Sequence, residues 1–355
     1  MKPIVRAGRM KPVHSDIRGP LFVEAMKRQK QGIDILKLNT GNPATFGFGL
    51  PDSIKNALIE HMQDGVGYCD FKGMPQARQA ICDYETSKGI KGITSDDVFI
   101  GNGVSEVVSF ALTPLLNDGD EVLVPSPSYS LWGNSVYLED GKPVFYTCDE
   151  QANWYPDIQD IRSKITDKTK AIVIINPNNP TGVLYPKELL LEIIQIARES
   201  GLLIFADEIY DRLVMDGKQH ISLASLTEDV PVITLNGLSK SHCLCGYRCG
   251  WMVISGPREL TEDYRQGIIQ LTSLRLCANT LAQIVIPVAL DDMDTPASMV
   301  RPGGRIYEQR EATVRELEKI DGLSFVKNDA AFYVFPKLDV KKSVSYTHLR
   351  AHETT

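Results

Sequence analysis

The chain lacks any apolar run long enough to cross a membrane, and its start, MKPIVRAGRMKPVHSDIRGP, has no apolar signal-peptide core. It also lacks an excess of positive charge. The 38 Lys and Arg against 45 Asp and Glu leave a formal net charge of -7 and a pI near 5.5. A basic face for a phosphate backbone is therefore not expected, which argues against nucleic acid as the main partner. Neither a P-loop nor GxGxxG occurs, so both nucleotide fingerprints are missing. Seven cysteines is an odd number, and several stand in apolar contexts. That usage reads as reduced thiols in a cytoplasmic protein rather than a disulfide framework. Internal repeats and low-complexity linkers are absent. What is there, at 355 residues, 43% hydrophobic and 23% charged, has the composition of an ordinary soluble protein of one large or two smaller domains.

Short apolar runs alternate with helical patterns. The runs cover 97–100, 121–124, 171–175, 202–206 and 230–235, and helices are predicted over 105–116 and 186–200. Pro186 at a helix start and Gly201 just past its end match helix boundary preferences. Strands apolar on both faces that alternate with helices imply a mostly parallel α/β sheet with helices on its faces. Ligands of such sheets collect at the carboxyl ends of the strands. Five polar motifs fall there: GNGVSE, PSPSYSLW, NPNNPTG, DEIY and GLSK.

Each motif has a plain reading and a chemical one. GNGVSE is a glycine-rich turn into a helix, whose first amides, those of Val104 and Ser105, attract a phosphate; alone it is more often a simple turn and cap. Tyr129 in PSPSYSLW suits stacking on a planar ring, while Trp132 reads as packing. NPNNPTG is a rigid turn, and Asn179 offers a side-chain amide to a pocket. Asp207 ends a buried strand, so it is either a helix cap or the partner of a protonated ring nitrogen, with Tyr210 a donor to a ring oxygen. In GLSKSHCLCGYR, Lys240 follows a core strand. A lysine shielded from water loses its charge more easily and attacks aldehydes; the bland alternative is a solvated head. Arg248 suits a phosphate through forked hydrogen bonds. His242, Cys243, Cys245 and Cys249 crowd nearby, but the C-x-C-x3-C spacing has no second half, so no metal is expected.

This set, GNG, PSYSLW, NPNNPTG, DEIY and GLSK with an arginine eight residues after the lysine, resembles the class I pyridoxal-phosphate aminotransferases. DIRGP, LKLNTGNPATFGF, GYCDFKG, NGLSK, RLCAN, PGGRIYEQR and FYVFPK are similar to strings of the bacterial alanine (glutamate–pyruvate) members, and the likeness covers most of residues 15–340. The resemblance implies fold type I: a large domain with a seven-stranded, mostly parallel sheet, plus a smaller α/β domain. It divides the chain into an N-terminal arm and part of the small domain (1–47), a large cofactor domain (48–290), a partial C-terminal small domain (291–342) and a tail (343–355). It further implies pyridoxal 5'-phosphate, a homodimer with shared sites, and amino and 2-oxo acid substrates.

The roles it implies fall residue by residue. Lys240 would hold the cofactor as a Schiff base and then move a proton between the substrate Cα and the cofactor. Asp207 would keep the ring nitrogen protonated; Tyr210 and Asn179 would bond the ring oxygen; Tyr129 would stack. Val104, Ser105, Ser239 and Arg248 would grip the phosphate, with Tyr68 reaching it from the neighbouring subunit. Gly41 and Arg18 would line the substrate subsite with Asn179, and Arg275 is either an interface or a surface arginine. Departures are Cys243, where a small or aliphatic residue is usual, and Gly237, where some relatives carry a phosphate-binding serine whose hydroxyl Ser239 is expected to replace. The family continues beyond FYVFPK with an arginine that clamps the substrate carboxylate. Here the tail from about Ser343 departs from the family, so that clamp is expected to be missing and Arg350 receives no role; a strand is expected around 332–335. The activity implied is transamination between L-alanine and 2-oxoglutarate by ping-pong kinetics. Alternatives on the same residues are transamination of another neutral or aromatic amino acid, a β-lyase, and an inactive fragment. A transcription factor with such a domain would need a basic DNA-binding module before TGNP, and that stretch carries none.

Overall fold

The computed structural model describes residues 2–15, 18–39 and 41–339. The expected tail from Ser343, with Arg350, lies outside the described residues. Eight strands form one sheet: β1 (Val98–Asn102), β2 (Glu121–Ser126), β3 (Lys142–Asp149), β4 (Tyr155–Pro156), β5 (Thr169–Ile175), β6 (Leu203–Asp207), β7 (Val232–Gly237) and β8 (Cys249–Ser255). Their order is β1-β8-β7-β6-β5-β2-β3-β4. The pairs β3–β2, β2–β5, β5–β6 and β6–β7 are parallel. β8 runs antiparallel to both β7 and β1, and β4 is a two-residue antiparallel edge on β3. The sheet is thus the expected mostly parallel one, with the short β4 making eight strands rather than seven.

Alternation explains why the central strands are apolar throughout. Ile172 and Ile174 of β5 pack against the Lys187–Ser200 helix through Leu190, Ile193 and Ile194. Ala171, Val173 and Ile175 point the other way and meet Val107, Val108 and Ala111 of the Val104–Leu112 helix. Successive side chains of a strand face opposite layers, so a strand between two helical layers needs apolar residues at every position. The Val104–Leu112 helix stops short of the predicted 116. Thr113 still has helical dihedrals, and the helix ends there because Pro114 lacks the N–H that would continue the hydrogen-bond ladder. The Lys187–Ser200 helix ends where expected, with Gly201 in the left-handed conformation at φ +63°.

One expectation is corrected. Residues 332–335 form no strand; the nearby pairing is instead a two-residue ladder, Leu323–Ser324 with Lys337–Leu338. Apolar residues there pack sideways, so Met299, Val300, Ile306 and Ala331 bury Ile209 and Tyr210, with Phe332 and Tyr333 partly buried against them. Arg275, expected at an interface or on the surface, is partly buried within the chain. Its guanidinium is turned inward to Glu106 Oε2 at 2.6 Å and to the carbonyls of Phe71 and Ile100 at 3.1 and 3.2 Å. A forked guanidinium can serve several oxygen acceptors at once. Among the described residues no single helix is long and apolar enough to span a membrane.

Candidate active site

The carboxyl ends of β1, β5, β6 and β7 place the motifs around one lysine. β7 ends at Gly237, and the next four residues, Leu238–Ser241, form a single helical turn carrying Lys240. Its Nζ donates to the Gly41 carbonyl at 3.0 Å, a residue 199 positions away. The ammonium lies 6.0 Å from the Tyr210 ring centroid and 5.7 Å from that of Phe332. Burial lowers its pKa from the ordinary lysine value, because an ammonium loses more hydration than an amine.

Asp207 closes β6 and is buried. Trp132 Nε1 donates to its Oδ2 at 3.1 Å, and the Ile209 amide lies 3.4 Å from Oδ1. Burial pushes the carboxyl up to about 6, and these bonds offset it only in part. An ion pair would have raised the lysine and lowered the acid. The opposite shifts of Lys240 and Asp207 show that burial outweighs their mutual attraction. Tyr210 is buried, with its hydroxyl 2.7 Å from that of Tyr333. A Cβ on Gly41 would collide with the Tyr333 hydroxyl, so only glycine lets the 41–42 backbone pass between Tyr333 and Lys240.

A second group gathers at the start of the Val104–Leu112 helix. Gly103 sits at φ +86°, and a Cβ there would strike the Arg248 guanidinium. Arg248, exposed, donates to Ser105 Oγ at 3.1 Å and to the Cys245 carbonyl at 3.2 Å. Glu106 accepts from the Asn102 amide at 2.7 Å, which pins the turn, and Val104 and Ser105 are the first two residues of the helix, whose amides have no partner within it. Ser239 is buried beside Lys240, and its carbonyl accepts from Cys245 Sγ at 2.9 Å. Gly237 avoids a collision with the Cys249 carbonyl, a reason for glycine there that the sequence alone did not supply.

The remaining predicted residues stand farther out. Asn179 is half-buried in the turn after β5, and Tyr129 is 40% exposed after β2. Tyr68 is 84% exposed. Arg18 is exposed, its amide held by Ser15 Oγ at 3.1 Å. The cysteine cluster does not converge. Cys249 Sγ donates to the Ala282 carbonyl at 2.9 Å, while the ring nitrogens of His242 engage Ser241 Oγ and the Asp292 carbonyl. Sequence reasoning missed two residues. Trp132 packs on Phe205, as expected, but also holds Asp207. Tyr333 lies in the string FYVFPK, which carries no polar spacing that would betray its bond to Tyr210.

This donor set fits a planar, phosphorylated aldehyde. A buried carboxyl poised near neutrality faces the strand-end pocket, a shielded amine stands beside it, and an arginine with two helix-terminal amides lies across from them.

The chain matches the family model for aminotransferase class I and II over residues 33–353. That span includes the segment from Ser343 that the motif reading set outside the family. The chain is 50% identical over 342 residues to the glutamate-pyruvate aminotransferase AlaA of Haemophilus influenzae, covering 96% of this chain and 85% of that one. It is 45% identical over 339 residues to the alanine aminotransferase of Mycobacterium tuberculosis, covering 95% and 79%. Its fold superposes on the crystal structure of an aminotransferase from Escherichia coli with a TM-score of 0.94 at 48% identity, covering 96% of this chain and 84% of that one.

Proposed function

The chain belongs to the class I and II aminotransferases, and from that premise we propose that it moves the amino group of L-alanine to 2-oxoglutarate, giving pyruvate and L-glutamate. The observation that carries this reading is the shielded Lys240 amine beside the buried Asp207, in a chain half-identical to a glutamate-pyruvate aminotransferase. Pyridoxal 5'-phosphate, when bound, supplies an electron sink for the charge left as a Cα proton departs.

The chain's own residues then divide the work. Lys240 is the residue that would hold the cofactor, and its Nζ, when free, would take the substrate Cα proton and return it on the product side. Burial lowers its pKa, the direction that favours a base. Asp207 would face the ring N–H, and Trp132 keeps its carboxylate aimed. Tyr210, whose hydroxyl now meets that of Tyr333, and Asn179 would bond the ring oxygen. Arg248, Ser105, Ser239 and the Val104 amide would hold the phosphate, and Tyr129 would stack on the ring. Gly41 leaves room at the substrate, and Arg18 lines the outer rim. Because both half-reactions share one site, double-reciprocal plots should be parallel.

We also propose a homodimer in which Tyr68 reaches the neighbour's phosphate. Its exposure and that of Val66, Leu274 and Leu276, on adjoining segments, support this. The division into 1–47, 48–290 and 291–342 is likewise proposed, with the third segment closing on Tyr210. Seven free thiols support residence in the cytoplasm.

The test is pyruvate formation from L-alanine and 2-oxoglutarate by the purified chain, against L-valine, L-tyrosine and a cysteine conjugate. Alanine should be preferred. Preference for another amino donor, or pyruvate from the conjugate alone, would overturn the assignment.

A further inference from the structure

Behind the 207–211 turn lies a buried charge cluster that the reaction does not use. Glu85 and Lys88 stand at the carboxyl end of the Pro75–Ser87 helix. Lys88 Nζ lies 2.6 Å from Glu85 Oε2, 2.9 Å from Glu208 Oε2 and 3.1 Å from Asp211 Oδ2. All three carboxylates are buried. Among the described residues, Glu208, Asp211 and His220 are also the one set whose ligand atoms could converge on a metal ion. The Lys88 ammonium already contacts both of those acids, so the cation of this site is the lysine.

The position of the acids is informative. Glu208 follows Asp207 and Asp211 follows Tyr210. Each is fixed from several directions. Glu208 Oε1 accepts from Ser222 Oγ at 2.9 Å and from the Leu223 amide at 3.0 Å. Asp211 Oδ2 accepts from the Tyr84 hydroxyl at 2.5 Å and from Asn236 Nδ2 at 2.7 Å. Asn236 Oδ1 in turn accepts from the amide of Gly237, the residue that caps the Lys240 turn. Trp251 Nε1 donates to Glu85 Oε1 at 3.1 Å and links the cluster to β8. Burial disfavours the Lys88 ammonium, but the three carboxylates outweigh that and hold it charged.

Charges taken wholly out of water are a poor source of net stability compared with apolar packing. What they supply is direction, since one ammonium binds three acids at fixed angles. We infer that Lys88 is a positioning residue for amino transfer: it locks the 207–211 turn to the Pro75–Ser87 helix, so that Asp207 and Tyr210 meet the cofactor in register. This rests on the Lys240 pocket being the cofactor site. Displacements near 1 Å at such groups are enough to cost about 100-fold in rate.

The experiment titrates wild type, Lys88→Met, Lys88→Arg, Asp207→Asn and the Lys88→Met/Asp207→Asn pair with pyridoxal 5'-phosphate. Visible absorbance reads binding, circular dichroism reads folding, and alanine turnover is measured in parallel. Folded Lys88→Met should bind the cofactor roughly 10-fold to 100-fold more weakly, with kcat falling more than KM rises. Lys88→Arg should recover part of the affinity. In the Asp207→Asn background, Lys88→Met should cost less than it does alone, because part of its effect runs through that residue. Wild-type affinity and kcat in Lys88→Met, or full additivity in the pair, would overturn the inference. Should Lys88→Met fail to fold, the near-isosteric Glu85→Gln carries the test, with weaker cofactor binding expected and unchanged binding decisive against it. A wild type with no cofactor band, or one that Lys240→Ala does not abolish, would instead refute the site reading itself.

Discussion

At Asp207, burial lifts the carboxyl to about 6, against roughly 3.9 in an unfolded chain. Between those values the cofactor-free folded protein keeps a proton that the unfolded chain has released. Its stability therefore falls as pH rises through this window and is lowest above it. The difference of about two units corresponds to on the order of 3 kcal/mol. Asp207→Asn has no such proton to lose. Its cofactor-free form should lose that contribution, so its urea-unfolding free energy should fall less between about pH 4 and pH 7 than that of wild type. Alanine turnover in the same variant should drop roughly 100-fold to 1,000-fold, the scale seen when a preorganised charge partner is removed. Equal pH slopes in the two proteins would show that Asp207 is not the group that titrates. Trp132 belongs to the same account, since its indole N–H is the stronger of the two donors that hold this carboxylate.

At the scale of elements, the site depends on where strands and helices stop. β6 and β7 deliver Asp207 and Lys240 because each ends at the same edge of the sheet, in parallel register, with Asp207 paired to Leu235. The Lys187–Ser200 helix forms the layer beneath that edge, and Gly201 ends it in the left-handed region with open space around its Cα. Gly201→Ala therefore tests backbone strain alone. It should destabilise the protein by about 1 kcal/mol in urea unfolding while leaving the cofactor band and the KM for alanine unchanged. A shift in the band would mean that this helix transmits strain to the site. The strands β3 and β8 escaped the sequence reading for different reasons. β3 is a half-exposed strand next to the edge, KPVFYTCD, with no continuous apolar run. β8 begins directly after Arg248, which has a positive φ of 58°, so the glycine- and cysteine-rich loop before it obscures its start.

For the whole molecule, the exposed Val66, Tyr68, Leu274 and Leu276 are the feature a single copy leaves unsatisfied. Segments 62–71 and 274–283 are tied together, with Thr280 Oγ1 donating to the Gly65 carbonyl at 2.8 Å. The apolar side chains therefore share one rigid support. Val66→Asp with Leu276→Asp should convert the protein to a monomer in sedimentation velocity, because paired carboxylates cannot be buried without partners. Cofactor affinity should fall with it if Tyr68 serves the neighbouring subunit. A variant that stays dimeric would place the interface elsewhere.

Periodicity and punctuation made the α/β alternation readable, together with the five polar motifs at strand ends. Buried strands need continuous apolar residues, and helices need proline and glycine at their limits, so both leave local marks in the chain. The residues Lys240, Asp207, Tyr210, Asn179 and Arg248 were legible because each sits in or beside such a motif. Tertiary structure alone decided the rest. Gly41 meets Lys240 across 199 residues, Tyr210 meets Tyr333 across 123, and Lys88 meets Glu208 across 120. Each is a single polar contact between distant segments. Such a contact imposes no period on its neighbours, so it becomes visible only when folding brings the partners together and burial removes the water that would otherwise satisfy them.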